Sequence, residues 1–293
     1  MSDRVCTPKM LPPHLLIPAA RAAVKINPVN NARLDRLSMV IPGFQPTLER
    51  IAVVITKYWG PKGVRLTVGF LDNPPADLRA RLLLHMNAWG KSANVQFVET
   101  ATDPQVRVAR TKGDGYWSYV GTDITQIQAD QPTMNLDSFT MKVPESEFHR
   151  VVRHETGHTL GAPHEHMRRE LVERIDPEKA IEYFGRTQGW NPDTVRQQVL
   201  TPIEEVSLLH TAHADPDSIM CYQIPGEITV DGQPILGGTD IDPMDYEFMS
   251  SIYPKPDAGP DAISVPDGQW TNQLGPFELS FDGTLRIAFS GRA

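Results

Sequence analysis

Residues 154–168 read His154-Glu155-Thr156-Gly157-His158-Thr159-Leu160-Gly161-Ala162-Pro163-His164-Glu165-His166-Met167-Arg168. His154 and His158 stand four apart, so on a helix they share one face, one turn apart. Neutral imidazole nitrogens bind zinc at about 2.0–2.1 Å, and a catalytic zinc takes three protein ligands and keeps one position open. The first two histidines supply two ligands. His164 cannot reach the same ion along a straight helix. Gly161 admits positive φ and a sharp turn, Pro163 blocks any continuation of the helix, and His164 then folds back as the third ligand. Glu155 is not a ligand in this reading. It faces the open position and takes a proton from water, which zinc makes acidic near neutrality. A helix with scattered surface histidines leaves Gly161, Pro163 and His164 unexplained.

The spacing is the pattern H-E-x-x-H-x-x-G-x-x-H of the metzincin zinc proteases. Three further segments narrow the resemblance. His164-Glu165-x-x-Arg168 extends the motif, Ser218-Ile219-Met220-Cys221-Tyr222 is similar to a Met-turn of the form S-x-M-x-Y, and Trp117-Ser118-Tyr119-Val120-Gly121 is similar to a W-S-Y-V-G segment. Together they resemble the astacin-like metalloproteases from about Val64 to Pro254, with the segments in family order along the chain. The resemblance implies an α+β zincin (metzincin) fold, with a mixed twisted sheet, an active-site helix and a Met-turn. It implies one catalytic zinc and hydrolysis of peptide bonds in extended protein or peptide substrates. Met220 is then the apolar floor beneath the histidines. Tyr222 binds zinc at rest, swings away when substrate arrives and steadies the oxyanion. A strand at Thr133–Leu136 is expected as the sheet edge that pairs with substrate backbone by β-addition. Candidate substrate-binding residues are therefore Trp117, Tyr119, Thr133, Met134 and Asn135. Glu165 contacts a processed N-terminus in the family.

The chain departs from the family in two ways. Arg168-Arg169-Glu170-Leu171 does not reproduce the family's R-x-D-R extension. Cysteines stand only at Cys6 and Cys221, and Tyr116 takes a place where the family often has a half-cystine. Two cysteines, and an N-terminal MSDRVCTPKMLPPHLL without a long apolar core or small-residue cleavage site, suggest a bacterial-type relative. Such a protein is expected in the cytoplasm or exported by a leaderless route. The chain has 293 residues, 40% hydrophobic and 22% charged, with a net charge of −8. This composition is that of a globular protein with a sizeable core, and it gives no reason to expect nucleic-acid or anionic-membrane partners. No apolar run approaches the roughly 18 residues needed to span a bilayer. A monomer is expected.

Residues 1–50 read as an N-terminal extension, a pro-segment or an arm, with one short helix over Leu15–Val24 and a turn at Asn27–Asn31. Cys6 has two readings. Its thiolate caps the zinc as a latency device, or it is a free cysteine in the arm; the second is favoured. The catalytic domain spans 51–254. Alternation marks strands at 64–71, 95–99 and 105–109, and Leu78, Leu82, Met86 and Trp89 mark a helix ending at Gly90. Pro144 and its acidic neighbours open the active-site helix. Asp176-Pro177 and Asn191-Pro192 cap helices near 177–185 and 192–200. Asp231-Gly232 signals a hairpin, and Thr239–Asp245 caps a last helix. Residues 255–293 read as a β-hairpin extension docked on the catalytic domain. Cys221 reads as a small buried side chain, His166 as a spare histidine, and His210 and His213 as surface residues. Two other functions compete with the peptidase: a zinc-stabilised binding module or latent toxin component, and hydrolysis of a non-peptide amide.

Overall fold

Val64, Leu66 and Val68 are buried on one side of a strand, while Arg65 between them is exposed. This is the period-two pattern of a half-buried strand. In the computed structural model, residues 6, 9–30, 56–202 and 214–256 are described, together with the backbone of 270–274, 277–281 and 285–289. The elements run in chain order α1 (Pro13–Ile26), β1 (Val64–Phe70), α2 (Ala76–Met86), β2 (Val95–Glu99), β3 (Val106–Ala109), β4 (Tyr116–Ser118) and β5 (Met134–Leu136). The active-site helix α3 follows over residues 145–159. It is built from Glu145–Glu147, a wider π-helical stretch Phe148–Arg153, and His154–Thr159. Then come α4 (Arg169–Val172), α5 (Pro177–Gln188), α6 (Pro192–Val195, widening into Arg196–Leu200) and α7 (Pro243–Ile252).

The sheet has the order β2-β1-β3-β5-β4. The first four strands are parallel, with Val64 opposite Val95, Val68 opposite Val106 and Val108 opposite Met134. Strand β4 closes the sheet antiparallel to β5, with Trp117 opposite Asn135. This corrects one expectation. The segment Thr133–Leu136 is not the edge. It is paired on both sides, and Thr133, Met134 and Asn135 have no exposed surface. The edge on this side is β4, which carries Trp117 and Ser118; β2 is the edge on the other side.

Two apolar cores flank the histidine motif. One joins the sheet to α2 and α3 through Leu66, Val68, Leu82, Met86, Trp89, Phe148 and Val152, and reaches Met220 and Tyr253. The other gathers Leu171, Ile175, Phe184, Val195, Val199 and Ile224, and includes Cys6 and Tyr222. The capping signals act as read: the side chain of Asp176 accepts from the N–H groups of Glu178 and Lys179, and that of Asn191 from Thr194. Asp231-Gly232 lies in a longer loop, closed by an antiparallel bridge between Ile224 and Ile235, rather than in a two-residue hairpin.

The N-terminal extension is fastened to the first body. Asn30 Nδ2 donates to the carbonyls of Ala23 and Tyr58, and its Oδ1 accepts from Thr56 Oγ1 and Tyr58 N–H. Asn27 Nδ2 donates to Trp59 O. Residues 1–256 form one compact unit and residues 257–293 a second. In the second, β6 (Trp270–Leu274), β7 (Phe277–Phe281) and β8 (Leu285–Phe289) make an antiparallel sheet, one strand more than the expected hairpin. No helix among the described residues is long and apolar enough to cross a membrane.

Leu82 has no exposed surface in the first core. Leu82→Ala is expected to destabilise the protein by about 2–5 kcal/mol, read as a lower urea midpoint at unchanged slope.

Candidate metal centre and active site

Helix α3 delivers the first two histidines because its apolar face, Phe148, Val151 and Val152, is anchored in the first core. Its last carbonyls would be orphans. Trp59 Nε1 donates to Thr159 O at 2.9 Å and Tyr253 Oη to Leu160 O at 2.5 Å. The chain then turns at Gly161, whose φ is +103°. A Cβ there would stand 2.8 Å from Tyr58 Cδ1, so both conformation and space demand glycine, as the spacing predicts.

Beyond that turn His164 meets the other two rings. Its Nε2 lies 3.1 Å from His154 Nε2 and 3.0 Å from His158 Nε2. The Nδ1–H of His154 donates to Ile219 O at 2.6 Å, and that of His158 to Ala162 O at 2.8 Å. A neutral imidazole whose Nδ1 carries the proton offers only a lone pair at Nε2. Two lone pairs therefore face His164. A proton on His164 Nε2 serves one of these contacts; a single cation serves all three. The spacing is close to the roughly 3.3 Å edge of a tetrahedron with zinc–nitrogen bonds of about 2.0–2.1 Å. Burial, and then the neighbouring imidazoles, hold His154 and His164 well below the ordinary histidine range, and burial pushes His158 down to about 4. All three are in the neutral, ligating form. The donor set fits zinc.

Cys6, a free cysteine as favoured from the sequence, is not set apart in an arm but lies beside this cluster. Cys6 is buried, and its Sγ and the ligating nitrogens of His154, His158 and His164 all lie within 4.8 Å of one another. Its thiol donates to Glu155 Oε2 at 3.4 Å, and Glu155 Oε1 is buried with no partner among the described residues. Burial pushes the Glu155 carboxyl up to about 8. Burial, and then the Glu155 charge, raise the Cys6 thiol well above its usual range. A cation among the imidazoles acts the other way, favouring thiolate and carboxylate.

The segment 218–222, expected to be a Met-turn, packs against α3 through Met220. Met220 is buried against α3, and a Cβ on Gly157 would fall 2.4 Å from its Sδ and 3.2 Å from Trp89. Asp245 fixes this turn from the first turn of α7. Its Oδ1 accepts from Ser218 Oγ at 2.6 Å and its Oδ2 from Ile219 N–H at 2.9 Å. The carbonyl of that same Ile219 holds His154. Glu165 N–H donates to Met220 O at 2.9 Å, and the Glu165 carboxylate accepts from Arg168 and from Asp215 N–H.

Tyr222 donates its hydroxyl to the backbone carbonyl of Cys6. Its ring lies 4.3 Å from that of His164 and stacks on His166 at 3.9 Å and 17°. His166 is therefore a packing partner of Tyr222, with Nε2 against Gln198 O at 3.0 Å. Cys221 is a free, buried thiol beside these residues. Trp117 and Tyr119 sit together at the sheet edge, with ring centroids 5.9 Å apart. His210 and His213 lie outside the described residues.

Sequence reasoning missed Gly157, Asp245 and a brace at the other end of α3. There His85, Glu145 and His149 meet, with Arg81 on Glu145 and Arg153 on Asp240. The two variable positions of H-E-x-x-H carry no signal for Gly157. Asp245 was visible as a cap, but its distant partner was not.

Gly157→Ala places a methyl group where Met220 and Trp89 leave no room. It is expected to destabilise the protein by about 1–3 kcal/mol, read by denaturant unfolding, and to weaken metal retention by displacing the floor, read by competition with a chelator.

Comparison with known proteins agrees with this geometry. Residues 55–223 match the family model described as Astacin, a peptidase family. The structure of myroilysin superposes with a TM-score of 0.65 at 29% identity, covering 69% of this chain and 98% of that one. A crystal structure of myroilysin gives 0.52 at 28% identity, covering 68% and 86%. Zinc metalloproteinase nas-27 of Caenorhabditis elegans is 34% identical over 100 residues, which is 34% of this chain; the match spans about a fifth (21%) of the worm protein's length. With a family match over more than half its length, the chain belongs to the astacin family of zinc metallopeptidases.

Proposed function

We propose that this chain is a zinc-dependent endopeptidase that cleaves extended protein or peptide substrates, with residues 51–254 as its catalytic domain. The observation that carries the reading is the convergence of His154, His158 and His164 through Nε2, with the Glu155 carboxylate beside them and a backbone carbonyl held by Tyr222. The three histidines would hold the zinc. When bound there, zinc supplies Lewis acidity, polarising a carbonyl and making water acidic near neutrality.

The remaining chemistry belongs to the chain. Glu155 is buried, and its Oε1 has no partner among the described residues. It takes the proton of the attacking water and returns it to the departing amine nitrogen, which needs one base to act twice. Tyr222 already donates to a peptide carbonyl, that of Cys6. In a complex the same hydroxyl donates to the scissile carbonyl as negative charge develops on it, a contribution of about 3–4 kcal/mol for one such donor. Met220 and Gly157 keep the histidines seated. A binding module needs no buried carboxylate aimed at the fourth position, which argues for the enzyme.

Residues 1–50 act as a latency segment in this reading. The Cys6 thiol engages Glu155, would take the remaining ligand position when zinc is bound, and its backbone carbonyl takes up the Tyr222 hydroxyl. A substrate must displace all three contacts.

Three outcomes test the proposal on the full-length, zinc-loaded chain. Cys6→Ala is expected to raise the cleavage rate of an unfolded protein by about tenfold or more, since the competent fraction grows; a rate equal to wild type would show that Cys6 does not guard the site. Adding Glu155→Ala to that variant should keep the zinc, measured by metal analysis, and lose at least about 10²-fold in rate. Unchanged cleavage in the double variant sinks the mechanism, and zinc-loaded Cys6→Ala that cleaves no peptide sinks the enzyme.

A further inference from the structure

Cys6 and Lys9 touch the site through backbone groups, as a bound peptide would. The Cys6 carbonyl meets the Tyr222 hydroxyl, and three residues on the Lys9 N–H donates to Ser118 O at 3.2 Å. Ser118 belongs to β4, one of the two edges of the five-stranded sheet. Main-chain bonding to a free edge is how a sheet reads an extended chain without regard to its sequence, and alternate side-chain pockets then add selectivity.

One such side chain is in place. The Lys9 ammonium sits 4.6 Å from the centroid of the Trp117 ring. Trp117 Nε1–H donates to Asp114 Oδ2 at 2.9 Å. A donated indole N–H enriches the ring's electron density, and the carboxylate adds its own attraction, so both favour a cation over the ring face. Trp117 is 4% exposed with the segment present, and Tyr119 packs against it.

We infer that the face of Trp117, with the Asp114 carboxylate at its edge, is a substrate subsite for a basic side chain, lysine or arginine, and that Lys9 occupies it as a built-in stand-in. The inference rests on the peptidase reading above and adds a chemical class to it. The subsite lies about three residues from the reacting carbonyl, the separation of Lys9 from Cys6. One backbone hydrogen bond fixes the strand that substrate follows, not its direction, so the preferred position falls on whichever side of the cut runs along β4. Arginine suits the site at least as well as lysine, because its planar guanidinium stacks on an indole. Aspartate and glutamate meet the Asp114 charge and are excluded.

The test is a peptide library cleaved by the full-length, zinc-loaded Cys6→Ala chain, with products identified by mass spectrometry. Lysine and arginine should be enriched at one position about three residues from the cut. For a matched pair of peptides with lysine or norleucine at that position, kcat/KM should differ by roughly three- to tenfold. Trp117→Leu should abolish the ratio. Asp114 is exposed, so Asp114→Lys serves as a second variant if Trp117→Leu does not fold, and it should turn the preference towards glutamate. The ratio is the readout, because a merely structural loss lowers both rates together. Cleavage with no basic preference at any position overturns the subsite and leaves the peptidase reading standing. No cleavage of any peptide overturns both.

Discussion

Three imidazole nitrogens meet within about hydrogen-bond distance, and two of them present lone pairs because their other nitrogens donate to Ile219 O and Ala162 O. A polypeptide alone gains nothing from this arrangement. Each buried polar atom left without a partner costs about 1–3 kcal/mol. A cation at the meeting point converts the cost into ligation. Zinc binding is therefore linked to the stability of this region, and the surrounding structure works to keep the rings where only a metal satisfies them.

That work is done from far along the chain. Ile219 can hold His154 because Asp245 holds Ser218 and Ile219, and Asp245 is in place because it closes a capping box with Asp242 at the start of α7. Ala162 can hold His158 because Gly161 turns the chain and because Trp59 and Tyr253 take the carbonyls that the ended helix leaves over. Gly238 keeps a third approach open, since a Cβ there would stand 2.4 Å from Ile219 N. Two helices and the segment before β1 thus converge on two carbonyl oxygens. The second core contributes differently. It stacks His166 on Tyr222 and so aims the hydroxyl.

The histidine cluster was legible from the sequence because the device is local. Three histidines, one glycine and one proline within eleven residues leave few alternatives once zinc's geometry is applied. The strands and capped helices were legible for the same reason: period-two runs such as Val64–Phe70 and cap-proline pairs such as Asp176-Pro177 act over a few residues. Sheet order is non-local. Nothing within Thr133–Leu136 distinguishes a central strand from an edge, so Thr133, Met134 and Asn135 were expected along the substrate and are found inside the sheet. The position of Cys6 was hidden for the same reason. A single cysteine in a proline-rich stretch has no periodicity to announce that it reaches residues nearly 150 positions away. The wider turns of α3 over Phe148–Arg153 were equally invisible, because a π-helical stretch is set by what the helix packs on.

The proposed latency role gives the ordinary anchoring of the extension a function. A free thiol competing for one position on a metal is displaced by any substrate in excess. A tethered thiol acts at an effective concentration set by its tether, of order millimolar for short flexible links. Here the tether is shortened further by α1, whose end is fixed through Asn27 and Asn30 to the backbone at Tyr58 and Trp59. The anchoring point is not arbitrary. Trp59 is the residue whose indole caps α3 at Thr159, and Tyr58 is the side chain packed under Gly161. The extension is thus pinned to the same two residues that set the turn between the second and third histidines. Contact with Glu155, with Tyr222 and with the β4 edge then follows as a set. Releasing one end of the segment weakens the hold of the other, as the proposed latency role requires.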